Sequence, residues 1–247
     1  MAKLEKILGL HAVEAALRNA AEYVERVYVK KSRQDKRLGK VMALAAQKNI
    51  PIEHLDDKAL NQKAGSNHHQ GILALYRGGG ALNEKQLYRL LEALEEPPFL
   101  LVLDGVTDPH NLGACLRTAD AVGVHAIIVP KDNAAGLSPS ARKVASGAAD
   151  SVPFFQVTNL ARTLDTLKGE GIWLVGTSDA PKTSFYEQNL CGPLALILGA
   201  EGKGLRRLTQ ERCDYLVSLP MLGQVESLNI SVAAGVCLYE ALRQRII

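Results

Sequence analysis

Two hydrophobic rhythms divide this chain of 247 residues. Up to residue 77 the apolar positions come in short, interrupted groups. "GLHAVEAALRNA" carries them at helical spacing, "VERVYVKK" alternates as a half-buried strand does, and "RLGKVMALAAQKN" returns to helix. "IPIEHL" and "HHQGILALYR" read as two further short strands. From Phe99 onward the apolar runs become nearly continuous: "FLLVLDG", "VHAIIVP", "SVPFFQV", "IWLVGTS", "LALILGAE" and "YLVSLP". Such runs suit strands buried on both faces of a largely parallel sheet, with helices or loops between them. Between the two regimes, "GGGALNEKQLYRLLEALEEPP" predicts a flexible start, an amphipathic helix and a Pro-Pro stop. The expected fold class is therefore α/β: a small domain over residues 1–77, a linker over 78–97 and a larger domain over 98–247. The last segment, "SLNISVAAGVCLYEALRQR", predicts a helix whose first half is rich in small residues.

Composition narrows the class without choosing a function. Hydrophobic residues make up 47% and charged residues 22%, as in an ordinary globular protein. No stretch approaches the roughly 18 consecutive apolar residues of a membrane span. The opening "MAKLEKILGLHAVEAAL" mixes acids with lysines and predicts no secretory signal. Cys115, Cys191, Cys213 and Cys237 stand apart, with no C-x-x-C pair and no histidine at zinc-ligand spacing. They predict reduced core thiols in a cytoplasmic protein, and no metal site. The net charge of +3 is uneven: 16 Lys/Arg against 12 Asp/Glu over residues 1–97, and 13 against 14 over residues 98–247. The excess is densest in "KKSRQDKRLGK", where Lys30, Lys31, Arg33, Lys36, Arg37 and Lys40 face one acid, Asp35. Such a run is compatible with a solvated loop entering a helix and with a landing site for a polyanion such as RNA.

In open α/β sheets ligands gather beyond the carboxyl ends of strands, where loop backbone and helix N-termini converge. Three such junctions carry side chains that a plain connection does not require. In "LLVLDGVTDPHNLGACLRTADAVG" a helix is predicted to start near Leu112, with Asn111 either capping it or facing a ligand. Gly113, about 1 kcal/mol worse than alanine in a helix, marks a close backbone approach. Arg117 lies about 9 Å further along the axis and can lean back to meet Asn111 around an anion or hydroxyl; a surface salt bridge is the plain alternative. In "LALILGAEGKGLRRL", Gly199, Glu201, Gly202 and Gly204 form a glycine loop without the Ser or Thr of a phosphate loop. Its acid suits an uncharged or cationic ligand, such as a sulfonium cofactor, better than a pyrophosphate. In "SLPMLGQVESLNISVAAG", Ser227 is the expected helix cap, which leaves the amide of Asn229 for a ligand, with Ser231 one turn on.

Together, "NLGACLR", "LGAEGKG" and "PMLGQVESLNISVA" resemble the motifs of the SpoU (TrmH) family of RNA 2′-O-ribose methyltransferases. "GLHAVEAAL", "HHQGI", "LDGVTDPHNLGACLRTADAVGVHAIIVPKD" and "WLVGT" extend the resemblance over essentially the whole chain. It implies a methyltransferase domain tied in a deep trefoil knot, which no periodicity predicts. Ahead of it stands an RNA-binding domain similar to small ribosomal-protein folds. The resemblance further implies S-adenosylmethionine as cofactor, contacted by Gly199, Leu219, Met221 and Leu228. Asn111, Glu201, Ser227 and Asn229 would orient Arg117 and the target ribose. Because an arginine stays protonated to about pH 12, Arg117 is expected to bind phosphate and polarise the hydroxyl. A homodimer is implied, with the helix after Ser227 against its mate. The implied substrate is a guanosine in the peptidyl-transferase region of 23S rRNA, free or in a large-subunit assembly intermediate, with Lys30, Lys31, Arg33, Lys36 and Arg37 as RNA contacts. Gln224 and Glu226 fall at variable positions and bear on target choice. The competing readings are the same chemistry on another RNA, a non-catalytic assembly factor, and a dinucleotide oxidoreductase, which lacks G-x-G-x-x-G after the first long strand.

Overall fold

In the strand Val24–Lys30, Val27 and Val29 point to one face of a sheet and Tyr28 to the other, as the two-residue period requires. The computed structural model describes residues 4–19, 21–33, 35–76, 81–178, 183–200, 202 and 204–246. The chain divides into two compact units, residues 1–80 and 81–247. The first runs β1 (Glu5–Leu8), α1 (Leu10–Asn19), β2 (Val24–Lys30), α2 (Lys36–Gln47), β3 (Ile52–Leu55), α3 (Asp57–Ala64) and β4 (Ile72–Tyr76). Its sheet has the order β1-β4-β2-β3, and only β2 and β3, joined through α2, are parallel. Val27, Val29, Ile72 and Ala74 bury with Val13 and Leu17 of α1 and Leu38 and Val41 of α2. On the opposite face Tyr28 and Leu73 bury with Leu60 and Ala64 of α3. The hydrophobic pattern does not anticipate β1 or α3. Only Leu60 and Ala64 of α3 are buried, too few to impose a period. That helix is specified by its ends: Asp56 accepts from the Ala59 N–H at 2.8 Å, and Gly65 closes it at φ +72°.

The second unit comprises α4 (Glu84–Ala93), β5 (Phe99–Asp104), α5 (Pro109–Ala121), β6 (Ala126–Pro130), α6 (Pro139–Ala145), α7 (Ala148–Ser151), β7 (Phe154–Val157), α8 (Leu160–Gly169), β8 (Trp173–Thr177), β9 (Leu194–Gly199), α9 (Arg207–Gln210), β10 (Tyr215–Val217) and α10 (Ile230–Ile246). The sheet order is β10-β8-β9-β5-β6-β7, parallel at every pairing. Leu101, Leu103, Ile127 and Leu196 bury on the side of α5, α6 and α10. Leu100, Val102, Ile128 and Ile197 bury with Leu87 of α4 and Leu164 of α8. Both faces are therefore covered, which explains strands that read as unbroken apolar runs.

The amphipathic helix expected within residues 78–97 is α4, and it lies inside the second unit. Leu82 N–H donates to Phe154 O at 2.8 Å, and Gln156 N–H donates to Leu82 O at 2.9 Å, which ties the start of this stretch to β7. Among the described residues no helix is long and apolar enough to cross a membrane. All four cysteines are free, but one departs from the core-thiol expectation. Cys191 is exposed in the turn before β9, where its Sγ donates to Gln244 O at 3.2 Å. Burial pushes the thiols of Cys115, Cys213 and Cys237 up to about 12, so none of these three is a ready nucleophile. No group of three or more potential metal ligands occurs among the described residues.

Candidate active site

The parallel sheet changes direction between β5 and β9. From β5 the chain leaves through α5 toward β6, whereas from β9 it leaves toward β10 at the opposite edge. Connections that diverge in this way open a crevice above the strand ends. Asp104 and Gly199, the last residues of β5 and β9, are register partners at its base. A cleft of about 170 Å³ lies here, lined by Gly105, Val106, Thr107, Asp108, Asn111, Ala200 and Ile230. Those residues come from all three junctions singled out in the sequence.

The first junction supplies the start of α5, which differs from the expectation. The helix begins at Pro109, three residues before Leu112, and its cap is Asp108, whose Oδ1 accepts from the His110 N–H at 2.9 Å. Proline favours the first helical position because its fixed φ suits the helix and its missing N–H is not needed there. Asn111 is thus released from capping and is half-buried against the cleft. Gly113 serves packing rather than a ligand. A Cβ there would stand 2.5 Å from Ala141 O and 2.7 Å from Val144 Cβ, so the glycine lets α6 close on α5.

The third junction also reverses its expected roles. Asn229, not Ser227, caps α10. Its Oδ1 accepts from Ser231 N at 2.9 Å and Ser231 Oγ at 2.6 Å, and its carbonyl accepts from Ala233 N at 2.9 Å. Ser227, two residues earlier, is exposed. The amide of Asn229 still reaches across the site: Nδ2 donates to Asn111 Oδ1 at 3.1 Å, joining positions 118 residues apart. One side chain therefore starts a helix and fixes the first junction against the third.

Between them lies the glycine loop. Ala200 and Gly204 exchange backbone hydrogen bonds of 2.8 and 3.1 Å, and Gly202 and Gly204 take φ of +73° and +61°. A Cβ on Gly199 would lie 2.1 Å from the carbonyl carbon of Gly204, so the strand end admits no other residue while the loop folds back over it. Beneath the loop sits Asp104, a buried acid that the hydrophobic pattern passes over. Its Oδ2 accepts from Arg206 N at 2.9 Å, and its Oδ1 lies 3.4 Å from Arg206 Nε without accepting a hydrogen bond among the described residues. The signal was available: an ionised side chain ending a strand whose other residues are all apolar is expensive to bury unless it holds something. Glu201 lies outside the described residues.

Other candidate residues are placed less closely. Arg117 is exposed on α5 and makes no hydrogen bond or ion pair among the described residues, so the surface salt bridge is absent there. Leu219, Met221 and Leu228 are half-buried in the segment between β10 and α10, and Leu219 packs against the core. None of the three lines the 170 Å³ cleft. In the first unit, Lys30 pairs with Asp57 at 2.8 Å and Arg33 with Asp35 at 2.6 Å. Arg33 Nη1 also donates to Gln70 O, and Arg37 Nη2 contacts His11 Nε2 at 2.6 Å. Asp35 caps α2 by accepting from the Arg37 and Leu38 N–H groups at 3.0 and 2.9 Å. The Leu38 N–H, then Arg33, hold its carboxyl below the usual range. Lys31 and Lys36 have no ion pair among the described residues.

Comparison with known proteins gives a consistent picture over both units. The SpoU rRNA Methylase family profile matches residues 98–239, and a profile for RNA 2′-O ribose methyltransferase substrate binding matches residues 6–78. The chain is 52% identical over 245 residues to 23S rRNA (guanosine-2′-O-)-methyltransferase RlmB of Pseudomonas putida, covering 99% of this chain and 98% of that protein. It is 52% identical over 241 residues to the Escherichia coli protein of that name, covering 98% and 99%. Among solved structures, the SpoU methyltransferase AviRb from Streptomyces viridochromogenes in complex with AdoMet superposes with a TM-score of 0.80 at 25% identity, over 98% of this chain and 91% of that one. An RNA 2′-O ribose methyltransferase superposes at 0.78 with 29% identity, over 100% and 90%.

Proposed function

The chain belongs to the SpoU rRNA methylase family, and on that premise we propose that it methylates the ribose 2′-OH of a guanosine in 23S rRNA, using S-adenosylmethionine. One observation carries the reading: the three motif segments meet at the β5/β9 crevice, where Asn229 donates to Asn111 at 3.1 Å beside Ala200. Full-length similarity to relatives bearing that activity in their names narrows the substrate to rRNA guanosine.

The residues at the crevice fit the cofactor. Asp104 keeps a buried carboxylate under the glycine loop, with Oδ1 accepting no hydrogen bond among the described residues. With Arg206 Nε 3.4 Å away, this group offers the loop a hydrogen-bond acceptor within an ion pair rather than a cluster of phosphate-binding cations, which suits a sulfonium cofactor better than a pyrophosphate. Gly199 and the backbone of its loop would hold the cofactor, with Leu219, Met221 and Leu228 as apolar contacts. When bound, S-adenosylmethionine supplies a methyl carbon activated by its sulfonium.

The chain's own residues then have to bring a weak nucleophile into line. Arg117 is exposed and, among the described residues, unpaired. Its guanidinium binds an RNA phosphate and donates to the 2′-oxygen; a guanidinium carries donors and no acceptor, so its role is that of a donor, not a base. Asn111, held by Asn229, orients the ribose, with Ser227 and Glu201 completing the polar surround. Alignment of this kind supplies much of the rate in a bimolecular transfer.

The assembly we propose is a homodimer with the cofactor loops in a trefoil knot. In support of the dimer, Val232, Tyr239 and Ile246 form an exposed stripe at seven-residue spacing on α10, and Leu222 nearby is 99% exposed. RNA is taken up by the first unit through Lys30, Lys31, Arg33, Lys36 and Arg37, on free 23S rRNA or a large-subunit assembly intermediate in the cytoplasm. The test is mass spectrometry of 23S rRNA fragments from cells with and without the gene. One 2′-O-methylguanosine should vanish on deletion and return on complementation; an unchanged methylation map would overturn the assignment.

A further inference from the structure

The first unit holds a cleft of about 530 Å³, within the usual size of a small-ligand site. Leu38, Gly39 and Met42 of α2 form its apolar floor, His54 of β3 stands at one side, and Lys31 and Lys36 flank it. Three cations of the basic run are engaged: Lys30 on Asp57, Arg37 on His11, and Arg33 on Asp35, a pair that itself completes the lining of the cleft. Lys31, Lys36 and Lys40 have no ion pair among the described residues, and of these Lys31 and Lys36 line the cleft.

Gly39 gives a second, independent sign. It lies inside α2, hydrogen-bonded to Asp35 O at 3.0 Å, where glycine is among the least favourable residues. Neither of the usual excuses holds. Its backbone is not left-handed, and a Cβ built on it would meet nothing within 4 Å. Folding alone would accept alanine or a longer side chain. What the missing side chain does is leave the floor of the cleft open.

We propose that this cleft receives a single unstacked nucleotide of the RNA substrate, its phosphate between Lys31 and Lys36 and its base against Gly39, Met42 and the His54 ring. Sequence-specific RNA recognition uses splayed bases held on flat or aromatic surfaces, and His54 is the aromatic residue of the lining. The proposal rests on the RNA-methylating reading above and adds a place where substrate is recognised away from the reacting ribose.

The test uses the full-length protein. Gly39→Leu should fold with an unchanged or higher Tm and bind S-adenosylmethionine with unchanged affinity by calorimetry. It should raise KM for 23S rRNA fragments at least tenfold while kcat at saturating RNA changes less than twofold. Lys31→Ala with Lys36→Ala should weaken RNA binding and lower the slope of log K against log salt by roughly 1.4 for single-stranded contacts. Lys40→Ala makes the same kind of charge change on the same helix outside the cleft lining and should change affinity less than twofold. If Gly39→Leu binds and turns over RNA as the wild type does, the cleft proposal fails while the methylation reading stands. If wild-type protein methylates no rRNA but the variants still lose RNA affinity, the enzymatic reading fails and the cleft stands. Titration with guanosine monophosphate distinguishes a metabolite site: saturable binding at the cleft that RNA does not displace would overturn the proposal.

Discussion

Two clefts of this molecule use glycine for opposite reasons. At the strand ends of the second unit, Gly199 is surrounded: a Cβ would lie 2.1 Å from the backbone of its own loop. In the first unit, Gly39 has nothing within 4 Å of the position a Cβ would take. The crevice near Gly199 is small, about 170 Å³, and two of its polar side chains are already held, Asn111 by Asn229 and Asp108 by the His110 N–H. The cleft over Gly39 is about 530 Å³, and the two lysines beside it are unpaired among the described residues. Chemistry that depends on alignment needs an over-determined backbone; recognition of a flexible polyanion needs room and uncommitted charge.

Substitutions can break or sharpen this contrast, and Gly199→Ala should do so most severely. Overpacking of this kind costs about 1–3 kcal/mol, and here it falls on the glycine loop proposed to hold the cofactor. Binding of S-adenosylmethionine by calorimetry should be lost together with turnover; retained affinity would mean the loop can rearrange. Next, Arg117→Ala should lower methylation by about 10²-fold or more, the size expected for removing a donor aimed at developing charge. Its exposure predicts an unchanged Tm and nearly unchanged cofactor affinity, read in single-turnover and binding assays.

A milder change separates the two duties of Asn229. Asn229→Ser keeps a capping hydroxyl for α10 but cannot span to Asn111. Stability should stay within about 0.5 kcal/mol of wild type, while kcat falls roughly tenfold, a loss equivalent to about 1.4 kcal/mol of transition-state stabilisation. A loss of Tm without a loss of kcat would reduce the Asn111 link to scaffolding. The smallest effect is reserved for a residue in neither cleft. Glu240 is held at about 2, against an ordinary 4.5, first by its hydrogen bond to Arg243 and then by Gln244. A depressed carboxylate contributes stability that is fully present above pH 4.5 and fades as the pH falls toward 2. Glu240→Gln should therefore flatten that acid limb in Tm measurements and leave neutral-pH turnover unchanged.

The sequence displayed the large sheet more openly than the small site. The strands from β5 to β9 announced themselves because burial on both faces leaves continuous apolar runs, and the edge strand β10 did so through its short apolar run although Tyr215 is exposed. In contrast α3 carries only two buried residues and is declared by Asp56 and Gly65, signals of helix ends rather than of a period. The three strand-end junctions were legible as places that the fold brings together, yet the capping roles within them were not. Asn111 and Ser227 both look like caps in one dimension, and the true caps, Asp108 and Asn229, are decided by where Pro109 starts one helix and where Ser231 offers its N–H to the other. Asp104 and Arg206 escaped notice because a link across 102 residues has no local pattern. Gly113 was legible as a close backbone approach, but the sequence cannot say that α6 is what arrives there.

The Asn229–Asn111 bond also sets a schedule. A ribosome making this chain must synthesise 118 further residues after Asn111 before its partner exists. Domains acquire structure in the order they emerge, so the first unit can be formed while the crevice is still open at one side. A chain that ends before Asn229 carries the first junction without the partner that fixes it, so the crevice is among the last parts of the second unit to be completed.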